Sequence, residues 1–237
     1  MFSLPLVASR IGEYFTTTRG APPSHVRLIV CGGDVLSRGR QAMLAEMWDA
    51  LVLNMFGCSE LFGPVAGPGE RGGPMSWRCE PVAVEVLDPV TLAHCGVGER
   101  GVVVLSTLWP KASPLLRYWT DDVVQLVDIS PATGTFVFEY IGRPPSMLDV
   151  AGKKVPLRDI DDALLSGGWC TSEWSVHQAP GQLRIEAETA MRQHVALQAV
   201  REVLHEVVGA PADLVPRKPG ALPRAMPKFA VVTSGYR

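Results

Sequence analysis

Several clusters along the chain combine residue types that can do chemistry. Gly32-Gly33-Asp34 closes an apolar run. Glycine lets a flat ligand approach the backbone closely, and the adjacent carboxylate accepts a donor. A plain strand-to-helix turn would use the same three residues. Phe56-Gly57-Cys58-Ser59-Glu60 follows a second apolar run. It offers an aromatic face for a base, a hydroxyl, and a carboxylate suited to a Mg²⁺ ion that carries phosphates. Cys58 has no histidine near it in sequence and reads as a structural thiol. In Leu116-Arg117-Tyr118-Trp119-Thr120-Asp121-Asp122 a carboxylate is available to the two vicinal hydroxyls of a ribose. A solvated acidic turn is the plainer reading of that segment. Gly142-Arg143 supplies a guanidinium for a phosphate or an acid, or simply a surface arginine. Gly220 to Lys228 (GALPRAMPK) carries a lysine on a loop before a strand. There an ammonium group would stabilise charge on a carboxylate and an α-phosphate as they join; a solvated tail lysine is the alternative. The histidines, His25, His94, His177, His194 and His205, are scattered and read as structural or surface residues.

The elements that must position these groups alternate between helix and strand periods. VRLIVC (26–31) reads as a strand, and Ser37 as the cap of a helix carrying Leu44, Met47, Trp48 and Leu51 on one face. LVLNMFG is a second apolar run, so this region reads as an α/β unit. Residues 1–24 read as a short apolar stretch followed by polar turns, and Gly63–Gly73 as a Gly- and Pro-rich loop. The period then changes to two: VAVEVLDP, GVVVLSTL, DVVQLVD and TFVFEYIGR read as strands. GRPP (142–145) breaks regular structure and reads as a linker. Beyond it come a hairpin around Gly152, a helix over 157–165, a strand QLRIEAE, a helix over 189–208 closed by Gly209, and a strand KFAVV. The expected fold class is mixed α/β, with parts at 1–142 and 143–237.

With 237 residues, 47% hydrophobic and 19% charged, the chain has material for a sizeable core and is not wholly disordered. A formal charge of −2 argues against general nucleic-acid binding. No apolar run reaches the ~20 residues that span a bilayer, and the N-terminus lacks the basic start of a signal peptide. Cys31, Cys58, Cys79, Cys95 and Cys170 are odd in number and widely spaced, which fits free thiols in a cytoplasmic protein. No CxxC or HExxH motif points to a metal.

The order of the clusters resembles the adenylate-forming enzymes, above all the phenylacetate–CoA ligases. VCGGD resembles that family's strand ending in Gly-Gly-Glu, which implies that Gly33 and Asp34 lie against adenine. FGCSE resembles Tyr-Gly-x-Ser/Thr-Glu, which implies Phe56 stacked on adenine, Gly57 and Ser59 beside the nucleotide, and Glu60 on Mg²⁺. PLLRYWTDD resembles Pro-Leu-Ile-Arg-Tyr-x-Thr-x-Asp, so Asp122 would hold the ribose. YIGRPPSM resembles the Gly-Arg hinge before the family's mobile C-terminal part and carries Arg143. GALPRAMPK resembles Gly-x-Leu-Pro-Arg-x-x-Gly-Lys and makes Lys228 the lysine of adenylation. The resemblance covers about residues 26–230 and implies the C-terminal part of the large domain followed by the small mobile domain. The family's N-terminal half, with its phosphate-wrapping loop, has no counterpart in the motifs found. Pro145 and Ser146 stand where the family has a hinge aspartate pair, and Ala151 where it has an arginine. A proline fixes φ at the joint whose rotation switches the family from adenylation to thioester formation.

Two functions follow. One is a truncated or split ligase, of biosynthetic type, that uses ATP and Mg²⁺ to activate a small carboxylic acid. The acyl group then passes to CoA, a carrier thiol or an amine, and Leu61–Pro64 line the acyl pocket. A second chain or a second copy would cover the missing half. The other is a degenerate homologue that serves a full-length ligase as partner or regulator.

Overall fold

The computed structural model describes residues 1–61, 63–68, 73–77, 81–108, 114–129, 135–168, 170–179, 182–189, 194–224 and 232–233. The fold is mixed α/β, in two compact units. One joins Met1–Val52 to Pro145–Arg237; the other is Leu53–Pro144. Compactness thus groups the first fifty residues with the C-terminal segment, whereas the sequence reading groups them with residues up to 142.

The first unit opens with β1 (Phe2–Ser3), α1 (Pro5–Arg19), β2 (Leu28–Gly32) and α2 (Arg38–Trp48). The helix α1 replaces the irregular stretch expected over 1–24. Pro5 starts it at a position where no N–H is needed, and Gly20 ends it in the left-handed region with its N–H on Thr16 O at 3.1 Å. It buries Leu6 and a stripe of small residues, Ala8, Ser9 and Gly12. A Cβ on Gly12 would stand 2.2 Å from Met47 Sδ, so the glycine is what lets α1 and α2 meet. Ser37 caps α2 by accepting from Arg40 N at 3.0 Å. Asp49 turns the chain with φ 47°, and Leu51 therefore leaves the helix face expected of it. It begins β3 (Leu51–Cys58) instead, which continues into the second unit.

The second unit is an antiparallel sheet. It adds β4 (Gly63–Pro68), β5 (Met75–Trp77), β6 (Val82–Leu87), β7 (Arg100–Thr107), β8 (Tyr118–Ile129) and β9 (Phe136–Gly142), in the order β3-β4-β5-β9-β8-β7-β6. β4 stands where a loop was expected. Gly57 permits it: a Cβ there would lie 2.5 Å from Gly63 O, and a bulge between Phe56 and Gly57 absorbs the irregular register. Phe56, Trp77, Val103, Leu105, Val124, Leu126 and Phe138 fill the core.

The chain then returns to the first unit. β10 (Met147–Val150) and β11 (Lys153–Pro156) form the hairpin expected around Gly152, with Ala151 and Gly152 both at positive φ. The helix α3 (Leu157–Leu165) matches its predicted span. β12 (Trp174–Ala179), β13 (Gln182–Glu188), α4 (His194–Val208), β14 (Asp213–Arg217) and β15 (Val232–Thr233) complete the unit, with sheet order β14-β13-β12-β15. α4 is described over His194–Val208; Thr189, where the helix was expected to begin, lies outside it and donates its N–H to Arg217 O at 2.9 Å. Leu148, Ile160, Leu164, Ile185, Leu204 and Val208 make the core, and Met43 of α2 packs against it. Among the described residues no helix is long and apolar enough to cross a membrane.

Candidate functional site

Strand irregularity builds the site in the second unit. β8 bulges against β7 between the pairs Val102–Val123 and Val104–Trp119, and Asp121 takes φ 61°. Thr120 fixes the kink: its hydroxyl donates to Val103 O at 2.8 Å and accepts from Asp122 N at 3.0 Å. Bulges re-aim side chains. Here Asp122 turns inward, 2% exposed, while Asp121 stays on the surface and accepts from Trp119 Nε1 at 2.9 Å.

A buried carboxylate needs partners. Arg143 forks onto Asp122, Nε to Oδ1 at 2.8 Å and Nη2 to Oδ2 at 3.0 Å, and the Tyr140 hydroxyl donates to Oδ1 at 2.8 Å. The bond to Asp122 drives the Arg143 guanidinium still further above its ordinary pKa, against the opposing effect of burial. Tyr140 also packs on Phe56, with ring centroids 5.5 Å apart.

Glu60 follows β3 on an exposed turn and accepts the Tyr118 hydroxyl at 2.7 Å. That bond holds Glu60 below the usual carboxylate range and raises Tyr118 above its own. The Arg143 charge adds to the lowering of Glu60 and opposes the raising of Tyr118. Cys58 lies between them in charge terms: burial, with Glu60 and Asp122 adding to it, pushes its thiol up to about 11. A thiol held that high stays protonated and is a poor nucleophile, as the sequence suggested.

The second unit therefore brings together Glu60, Asp122 and Arg143 with Tyr118 and Tyr140. Phe56 is 6% exposed, its ring against Trp77, Phe138 and Tyr140, so it forms part of the core beneath the site. Gly57 and Ser59 are exposed beside Glu60; Leu61 packs partly buried on the core and Pro64 is exposed. Gly33 and Asp34 belong to the first unit. Gly33 needs its glycine, with φ 77°, and Asp34 Oδ1 accepts from Val35 N at 2.8 Å. Lys228 lies outside the described residues, but the loop leading to it is visible. Buried Glu188, at the end of β13, accepts from Gly220 N at 2.8 Å, Leu222 N at 2.7 Å and both terminal nitrogens of Arg224. Sequence reasoning missed Tyr140 and Glu188. Both sit in strands, and no local pattern marks a strand residue whose partner arrives from a distant segment. Among the described residues no three His, Cys, Asp or Glu side chains converge as a metal site.

The chain has relatives among known proteins. A phenylacetate–coenzyme A ligase of Thermus thermophilus is 30% identical over 170 residues, covering 68% of this chain and 38% of that protein. One from Pseudomonas putida is 27% identical over 155 residues, covering 64% and 35%. This chain thus spans little more than a third of the length of these curated relatives. Among solved structures, a 2-hydroxyisobutyryl-CoA ligase in complex with an acyl-AMP matches all of this chain and 54% of its own, with TM-score 0.82 at 18% identity. An anthranilate CoA ligase with anthranoyl-AMP matches 93% and 46%, with TM-score 0.65 at 15% identity. No protein-family model matches. The chain belongs to the adenylate-forming enzymes. Within that class it is phenylacetate–CoA ligase-like.

Proposed function

We propose that this chain carries the nucleotide-binding and C-terminal part of an enzyme that activates a carboxylic acid with ATP. The product is an acyl-adenylate, whose acyl group then passes to CoA, a carrier thiol or an amine. The observation that supports this reading most is the buried, pre-oriented carboxylate of Asp122, aimed by a bulge and braced by Arg143 and Tyr140. An acceptor already fixed in place costs little further ordering when a ribose diol binds. In this reading Asp122 takes the ribose, with Arg143 beside it. By the resemblance, Gly33 and Asp34 of the first unit are assigned to adenine, as is Gly57 of the second with the Phe56 ring in the core beneath it, and Ser59 and Glu60 are assigned to the phosphates. Glu60 would hold a Mg²⁺ that carries the nucleotide's phosphates and neutralises their charge. Lys228 stabilises the charge developing where the carboxylate meets the α-phosphate. The functional joint falls at Gly142–Arg143, between parts 1–142 and 143–237. A phosphate-wrapping loop comes from further sequence, from another chain or from a second copy. The four described cysteines are all unpaired and buried, which supports a cytoplasmic setting.

The relatives' names make phenylacetate the first acid to test. Carboxylate-dependent exchange of pyrophosphate into ATP is expected, and it should disappear in Lys228→Ala and in Asp122→Ala. Failure of MgATP to bind, with and without a candidate partner chain, would sink the proposal. One observation favours the other reading, a degenerate homologue that binds a full-length ligase. Asp122 already receives three hydrogen bonds from its own chain. Binding to such a ligase without nucleotide binding would select that reading.

A further inference from the structure

We infer that the first unit carries a second binding site, a cavity that takes an organic ammonium ion with an alkyl or aryl body. The cavity has a volume of about 780 Å³ and is walled by α1, residues 20–22 after it, α2, Thr171, Glu188 and the loop Pro219–Arg224. None of Gly33, Asp34, Glu60, Asp122 or Arg143 lines it. Small-molecule sites commonly span about 300–1,000 Å³, so its size suits such a ligand.

The hydrogen-bonding capacity of the wall selects the ligand. Glu188 is already satisfied: Oε1 accepts from Leu222 N and Arg224 Nη1, and Oε2 from Gly220 N and Arg224 Nη2. That pairing neutralises Arg224, the only basic side chain among the described residues of the wall. Glu13 and Glu46 have no cation bonded to them. Glu13 accepts Ser172 N through Oε1 at 3.0 Å, and its Oε2 has no partner among the described residues. Glu46 is exposed on α2 and its carboxylate has none either. Hydroxyl oxygens add to these acceptors. Thr16 Oγ1 spends its hydrogen on Gly12 O at 2.9 Å and can only accept further. Thr171 Oγ1 is buried and has no hydrogen-bond partner among the described residues. A buried polar atom without a partner is costly, and a ligand donor relieves that cost. An ammonium ion brings three donors, a positive charge and no acceptor, the complement of this wall. A carboxylate or phosphate would face like charge. A metal ion fits less well, since among the described residues no three His, Cys, Asp or Glu side chains converge.

The rest of the wall is apolar. Met43 and Met47 of α2, with Pro22 and Pro219, offer thioether and ring surface, and methionine adapts to irregular shapes. The occupant therefore carries hydrocarbon beside its charge. The walls come from both stretches of the first unit, 1–52 and 145–237. Any movement of residues 145–237 off α1 and α2 opens the cavity. An occupant therefore favours the closed arrangement, by as much as its affinities for the two arrangements differ. The site rests on its own walls and stands without the adenylation reading.

The test is isothermal titration calorimetry of the full chain at neutral pH. The probes are phenethylamine and octylamine, with phenethyl alcohol as the uncharged control. At least one amine is expected to bind saturably, and the alcohol at least about tenfold more weakly, because it lacks the charge. Glu13→Gln keeps an acceptor for Ser172 N and should weaken amine binding about tenfold. Thr17→Trp, at an exposed position of α1 on the wall, should fill the cavity and abolish binding. Circular dichroism checks that each variant is folded; should Thr17→Trp unfold, Ala21→Trp is titrated in its place. Absence of saturable heat with both amines, equal affinity for the alcohol, or amine affinity unmoved by Glu13→Gln and the tryptophan variant would overturn the inference.

Discussion

Tyr118 at the start of β8 donates its hydroxyl to Glu60 on the turn after β3, across 2.7 Å and 58 residues of sequence. The bond holds Glu60 in its charged form at lower pH than an ordinary glutamate. A carboxylate whose folded pKa is depressed stays charged above that pKa and loses its charge as pH falls through it. Tyr118→Phe should raise the Glu60 pKa toward its ordinary value. Metal-dependent ATP binding that needs ionised Glu60 should then fail at a higher pH than in the parent. Titrating MgATP binding from pH 7 to pH 4 in both proteins checks this. An unmoved acid limb would detach Glu60 from the metal.

Asp122 is the only acid accepting from both Arg143 and Tyr140 among the described hydrogen bonds, so its removal leaves two donors facing a cavity. Breaking a buried pair costs about 3–5 kcal/mol. Arg143 is half exposed and can rehydrate, so Asp122→Ala should cost about 2 kcal/mol. Asp122→Asn, which keeps an oxygen for one donor, should cost about half as much. Urea unfolding gives both values. Both variants should lose adenosine monophosphate binding while Tyr140→Phe only weakens it, which separates ribose binding from stability.

The thiols offer a negative control. Burial lifts Cys31 and Cys58 to about 11, and drives Cys170 higher still. At neutral pH these groups are almost wholly protonated, and alkylation needs the thiolate. Iodoacetamide at pH 7.5 should leave Cys31, Cys58 and Cys170 unmodified in the folded protein while labelling all three in urea. Cys58→Ala should keep nucleotide binding. Rapid loss of binding on alkylation of Cys58 would reopen a role for it as a nucleophile.

What the sequence could express was local. The spacing from Tyr118 to Asp122 and the Gly142-Arg143 pair are short strings, and the structure joins Asp122 to Arg143 directly. Tyr140 was invisible because its role depends on register: it faces Val124 beside a register shift in the β8–β9 pairing, and its hydroxyl reaches Asp122. The helix α1 escaped notice because it buries Ala8, Ser9 and Gly12 rather than a periodic run of large apolar residues. Arg40 carries no mark in the sequence of its burial, because its partner Asp161 lies 121 residues later. Hydrophobic period records which face is covered, not which charge waits on the covering segment.

Glu188 shows how the same long-range logic reaches the lysine-bearing loop. Burial alone would raise its pKa; Arg224 and the N–H groups of Leu222 and Gly220 outweigh that and hold it below the ordinary range. Its stabilisation of the loop is therefore present above the ordinary glutamate pKa and is lost as pH falls through the lower, folded value. Glu188→Gln removes the charge but keeps one acceptor. Exchange of the Gly220 and Leu222 amide hydrogens should speed up in this variant by about tenfold, equivalent to ~1.4 kcal/mol of a charged hydrogen bond. Exchange in β8 should not change. If Lys228 needs this anchor, pyrophosphate exchange should fall in Glu188→Gln with the apparent affinity for MgATP little altered. Unchanged amide protection at Gly220 and Leu222 would show that the loop holds its place without the carboxylate.

Arg40 of α2 and Asp161 of α3 form a buried ion pair, Nη2 to Oδ1 at 2.5 Å with side chains 0% and 1% exposed, and such a pair behaves differently when one partner or both are replaced. Arg40→Met alone leaves Asp161 charged and buried with only Ser37 and Trp174 as donors. Asp161→Leu alone removes the only carboxylate among the hydrogen bonds described for the Arg40 guanidinium, leaving those to Ser9 and the Ser172 carbonyl. Each single change should cost about 3–5 kcal/mol. Together, methionine and leucine fill the space with no charge left to solvate, and the double variant should return to within about 1–2 kcal/mol of the parent. Denaturant unfolding of the four proteins measures the coupling. Additive losses would mean that the two side chains act independently, each through its own hydroxyl and carbonyl partners.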